Sequence, residues 1–77
     1  MRNMTKAKRL IAKAPRIRNH GGSPRLVTVG DIVYSYNTAV AAYVNGSLYV
    51  PTWYSATTSR HINKIAEEWN CEVIKDY

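Results

Sequence analysis

The spacing of hydrophobic positions changes character along this chain. Met4, Ala7, Leu10, Ile11 and Ala14 recur at helical spacing, with Lys6, Lys8, Arg9 and Lys13 around the rest of the circumference. This predicts a short amphipathic helix over residues 5–14, with Thr5 as its N-cap. Pro15 ends it, because proline supplies no N–H and disfavours helical geometry at Ala14. A helix this short is marginal in water unless its apolar stripe docks on something. Residues 16–24 read as a flexible linker hinged at Gly21-Gly22.

From Arg25 onward the period shortens to two. Leu26–Val29 reads as a strand, followed by a two-residue turn at Gly30-Asp31. Residues 32–44 alternate: Ile32, Tyr34, Tyr36, Thr38, Val40, Ala42 and Val44 against Val33, Ser35, Asn37, Ala39, Ala41 and Tyr43. This is one long bent strand or two with a kink near Asn37-Thr38. Asn45-Gly46 is a type I′ hairpin pair, which sets Val44 opposite Ser47 and Ala42 opposite Tyr49. The face carrying Ala39, Ala41, Leu48 and Val50 has small residues in its middle and is read as the core side. Ile62, Ile65, Ala66 and Trp69 then give a helix over 57–69 to cover it, capped by Thr57, Thr58 or Ser59 and stopped at Asn70. Residues 71–75 are suited to a final edge strand. The expected fold class is α+β: a three-stranded antiparallel sheet, with room for a fourth edge strand, covered by one C-terminal helix and preceded by a short basic helix. The expected division is residues 1–24 as leader and linker, and 25–77 as the compact domain.

Charge sharpens that division. The 77 residues carry eleven Lys/Arg against five Asp/Glu. Arg2, Lys6, Lys8, Arg9, Lys13, Arg16, Arg18 and Arg25 all fall in the first 25 positions, which hold no acid. Basic blocks of this kind suit polyanions, since each cation placed on a phosphate releases counterions. Such a block also serves simply to keep a small protein solvated. With one cysteine, Cys71, no internal disulfide forms and no four-ligand structural zinc site can be built from cysteines. No apolar run reaches membrane-spanning length and no signal-peptide pattern opens the chain, so a cytoplasmic location is expected, without cofactor or metal.

Catalytic chemistry is hard to assemble. His61 would need Ser35, Asp31 or Cys71 within hydrogen-bond reach to act as a base, and a structural bond back to the sheet accounts for it more simply. The stretch from Tyr54 to His61 places four hydroxyls and Arg60 at a helix start, which suits an anion but equally suits ordinary capping. No phosphate-cradling glycine loop precedes it. Tyrosines replace phenylalanine throughout, so rings with bonded or hydrated hydroxyls are expected. Either Tyr34, Tyr36 and Tyr49 form an exposed platform for single-stranded nucleic acid or a protein, or the leader helix covers them with Leu10 and Ile11.

The runs Val33-Tyr34-Ser35-Tyr36-Asn37-Thr38, Leu48-Tyr49-Val50, Tyr54-Ser55 and Thr57-Thr58-Ser59-Arg60-His61-Ile62-Asn63 resemble motifs of a family of small uncharacterised bacteriophage proteins. The resemblance spans about residues 32–64 and implies source and fold more than mechanism. It makes Tyr34, Tyr36, Thr38, Thr58, Ser59, Arg60, His61 and Asn63 the candidates for a shared site. The order α-β-β-β-α is also that of double-stranded-RNA-binding domains, although Ser59-Arg60-His61 stands where those carry a lysine cluster. Modules of the βββα type in some integrases read DNA with the open sheet.

These readings converge on a non-enzymatic accessory protein whose basic leader engages DNA or RNA, with self-association of the body as a further expectation. The alternative is a protein-binding inhibitor or adaptor of a host enzyme. A membrane-surface role for the leader is disfavoured, because its stripe offers only Met4, Leu10 and Ile11 as large apolar residues.

Overall fold

A computed structural model of the chain describes residues 2–15 and 26–77. The linker expected at 16–24, together with Arg16, Arg18 and Arg25, lies outside these described residues. The order of elements is α1 (Arg2–Lys13), β1 (Leu26–Val29), β2 (Ile32–Ser35), β3 (Thr38–Val44), β4 (Ser47–Val50), α2 (Ala56–Glu68) and β5 (Glu72–Lys75). One five-stranded sheet runs β1-β2-β3-β4-β5, in place of the expected three or four strands. Neighbours are antiparallel except β4 and β5, which are parallel. A parallel pair needs a crossover long enough to reverse the chain, and α2 supplies it.

Turn chemistry explains the meander. Residues 32–44 form two strands, because Tyr36 and Asn37 both take positive φ (51° and 68°) and close a two-residue hairpin. Asn45 and Gly46 do the same at 48° and 87°. The pairings Val44↔Ser47, Tyr43↔Leu48 and Ala42↔Tyr49 follow from that second turn.

The simple alternation expected of residues 32–44 fails at one residue. A single step on β2, from Val33 to Tyr34, spans two on β3, from Ala41 to Ala39, so Val40 is the extra residue of a bulge. Val40 and Ala41 therefore both point into the same core, while Ala39 turns to the opposite face. A bulge breaks the period of two, and periodicity alone does not reveal one.

The sheet carries two cores, not one. On the first face Val33, Val40, Ala41, Leu48 and Val50 pack against Ile62, Ile65 and Ala66 of α2. On the second, Ile32, Tyr34, Ala42, Val44 and Tyr49 pack against Met4 and Ala7 of α1, with Leu10, Ile11 and Ala14 at the margin. All four β2 residues are buried in consequence. This corrects the expectation of a sheet covered by one helix. It also leaves no open sheet face of the kind that reads DNA in βββα modules, and the order α-β-β-β-β-α-β departs from that of double-stranded-RNA-binding domains.

Helix boundaries follow from capping. Thr5 does not start α1, which begins at Arg2 and includes Thr5 as its fourth residue. Ser55, with extended backbone, caps α2 by accepting the Thr58 N–H at 3.1 Å, so none of Thr57, Thr58 and Ser59 is the cap. At the other end Asn70 takes φ 53°. Its N–H reaches the Glu67 carbonyl and that of Cys71 reaches Ala66, the paired bonds of a Schellman stop. No helix among the described residues is long and apolar enough to cross a membrane.

Candidate functional site

Two features stand apart from ordinary packing. One is a buried polar cluster between β2 and α2; the other is the outward face of α1.

The cluster begins with Ser35, the last residue of β2, which is only 3% exposed. Its Oγ lies 2.9 Å from Nδ1 of His61 and 3.1 Å from Oγ1 of Thr58, itself buried. Ser55 completes the chain by donating its hydroxyl to Thr58 Oγ1 at 3.2 Å. A donor order that serves every atom runs from Ser55 to Thr58, from Thr58 to Ser35, and from Ser35 to His61 Nδ1. In that order His61 Nδ1 is the acceptor. No buried side-chain polar atom among the described residues lacks a partner. Hydroxyls buried between a sheet and a helix must be satisfied locally, since an unpaired one costs about 1–3 kcal/mol. The cluster therefore acts as a latch that sets α2 against β2. Chemically it pairs a serine with a histidine, with Ser35 enclosed and its oxygen held by two neighbours.

Tyr36 follows Ser35 directly, and its ring sits 5.7 Å from that of His61 at a 42° tilt. It is 48% exposed. It also borders a cleft of about 520 Å³ lined by Tyr34, Asn37, Thr38, Ala39, Ile11, Ala14 and Pro15.

Of the residues proposed from the motifs, Thr58 and His61 meet in the latch and Tyr36 caps it. Tyr34 lies beneath α1, where its hydroxyl donates to the Pro15 carbonyl at 2.6 Å, and burial pushes its pKa up. Thr38 is exposed on the cleft rim. Ser59 is half-buried, and Arg60 and Asn63 face outward on α2, where Asn63 lines a separate groove with Cys71. Ser35 and Ser55 belong to the cluster although the motif comparison did not select them. Ser35 did leave a signal: a serine in the core-facing register of an apolar strand needs a partner from whatever packs there.

The tyrosine platform resolves toward the covered alternative. Tyr34 and Tyr49 are buried under α1, and polar bonds hold both ends of that helix. Asn3 donates to the Tyr49 hydroxyl at 2.9 Å and accepts from Asn45 at 2.8 Å, while Pro15 takes the Tyr34 hydroxyl.

With its apolar stripe against the sheet, α1 turns its charge outward. Arg2, Lys6, Arg9 and Lys13 are all exposed and fall within about 60° of helical arc, opposite Met4 and Ile11. They form a ridge about 16 Å long. No acidic residue occurs in α1. Lys8 sits to one side, paired with Asp76 through a 2.8 Å Nζ–Oδ2 contact. The hydrogen bond from Lys8, reinforced by its charge, holds the Asp76 carboxyl below the usual range.

Fold and site together define a small α+β module, a mixed five-stranded sheet clasped between a basic helix and a latched one. The chain belongs to the family of unknown function DUF8033, which it matches over residues 1–76. The match takes in the basic leader as well as the motifs at 32–64. No curated protein and no solved structure matches the chain.

Proposed function

We propose that this protein is a non-enzymatic, phage-type accessory protein, working in the cytoplasm of a host cell, that binds nucleic acid through its basic N-terminal segment. The observation that carries this reading is the ridge of Arg2, Lys6, Arg9 and Lys13 on the exposed side of a docked helix. A docked helix loses little further entropy on binding, so its cations meet phosphates already ordered. Arg16, Arg18 and Arg25 extend the same cationic segment in sequence. The enclosure of Ser35 supports a binding role over a catalytic one. The phage character rests on the resemblance of the strand, hairpin and helix-start motifs.

The test is the salt dependence of binding to duplex DNA. Four ridge contacts give a slope of log K against log[salt] of about −4. Changing Arg2, Lys6, Arg9 and Lys13 together to Gln is expected to flatten that slope by the same amount. Binding that is indifferent to salt between about 50 and 200 mM is the result that overturns the proposal. The rival reading, an adaptor or inhibitor of a host enzyme, draws on Trp53, which is 58% exposed and of a type enriched in binding hot spots. A stoichiometric protein partner that survives nuclease treatment of a host lysate would favour that rival.

A further inference from the structure

Tyr36 occupies an expensive position. Its φ of 51° is left-handed, a region that glycine and asparagine enter readily and a tyrosine does not. The next hairpin of the same chain uses Asn45-Gly46 for the same turn, which shows what the geometry alone would select. Nor is the ring placed there to fill a core, since nearly half of the residue is exposed. His61, itself held by Ser35, backs the ring from one side. Strained backbone carrying an exposed aromatic is a pointer to binding.

The surroundings say what would bind. The cleft that Tyr36 borders has apolar walls from Ile11, Ala14 and Pro15 and polar groups from Asn37 and Thr38. Asn37 carries both an amide donor and a carbonyl acceptor, and Thr38 a hydroxyl, so the rim can pair with the edge of a flat heterocycle. At about 520 Å³ it has room for one nucleobase and its sugar. Lys13, the last ridge cation, directly precedes Ala14 of the cleft wall in sequence, while the ridge itself lies on the side of α1 opposite Ile11.

We propose that this cleft is a nucleobase site, in which one unstacked base lies on Tyr36 with its edge toward Asn37 and Thr38. The preferred ligand is therefore single-stranded nucleic acid. This inference rests on the nucleic-acid reading above and narrows it. A duplex keeps its bases stacked inside and offers the ridge only phosphates. A single strand offers phosphates and an aromatic face together.

The experiment is fluorescence anisotropy with three labelled probes of equal length: a thymidine single strand, a fully abasic strand and a duplex. The thymidine strand is expected to bind about ten-fold more tightly than the abasic strand. Tyr36→Asn keeps a residue that tolerates the turn while removing the stacking face, and it should abolish that ten-fold preference without changing the salt slope. Tyr36→Phe should retain the preference. Equal binding of the thymidine and abasic strands, or an unchanged preference in Tyr36→Asn, overturns the nucleobase site and leaves the ridge reading standing. If the fourfold ridge variant binds all three probes as well as the original protein does, the ridge reading itself falls.

Discussion

Ser35 Oγ and His61 Nδ1, 26 positions apart in the chain, meet at 2.9 Å across the seam between the sheet and α2. This bond and its continuation to Thr58 and Ser55 decide how α2 is set on the sheet, and through Tyr36 they also shape the rim of the cleft.

Removing one member of the latch strands the others. Ser35→Ala leaves the Thr58 hydroxyl buried with one partner fewer, so a loss of about 1–3 kcal/mol in urea denaturation is expected. His61→Ala should cost less alone, because the ring is half-exposed. Combining the two should give a coupling of at least about 0.5 kcal/mol. Strict additivity would mean that the contact contributes nothing.

Docking of α1 depends on the small size of Ala7, fully buried against a sheet that presents Ala42 at the same face. Ala7→Leu forces the helix outward and should cost about 1–3 kcal/mol. Met4→Ala leaves a cavity instead, at about 2–5 kcal/mol. Both variants should speed hydrogen exchange in α1 well before they affect α2. Uniform loss across both helices would show that the two cores are not separable.

Alkaline pH should act through Tyr34. Burial raises its pKa above the ordinary value of 10.0, so folding favours the neutral phenol. The stability this provides is complete below about pH 10 and is lost as pH rises through the folded value. Tyr34→Phe gives up the hydrogen bond to Pro15, about 0.5–1.5 kcal/mol at neutral pH, but has no hydroxyl to ionise. The gap between the two proteins should therefore narrow above pH 10. A gap that stays constant would contradict the assignment.

Asp76 neutralises a cation of the basic helix α1. It pairs with Lys8 in the open, where both partners are about half exposed, so Asp76→Asn should leave the melting temperature nearly unchanged. It frees Lys8 for a phosphate, and the salt slope for DNA should steepen by about 0.9. An unaltered slope would mean that Lys8 lies outside the path of the nucleic acid.

What the amino-acid order determined by itself is local. The helices, the Asn45-Gly46 hairpin, the stop at Asn70 and the basic front of the chain follow from residue-by-residue backbone preferences and short periodicities, which need no knowledge of distant neighbours. Even the final strand was legible as a candidate edge, though its parallel pairing with β4 was not. Tertiary structure decided the rest. The bulge at Val40 reassigns faces because strand register answers to both cores at once. The covering of Tyr34 and Tyr49 by α1 depends on apolar burial exceeding the cost of ordering a short helix, a balance struck over the whole face. The meeting of Ser35 with His61 requires β2 and α2 to be packed first, and no pattern within either segment contains that distance.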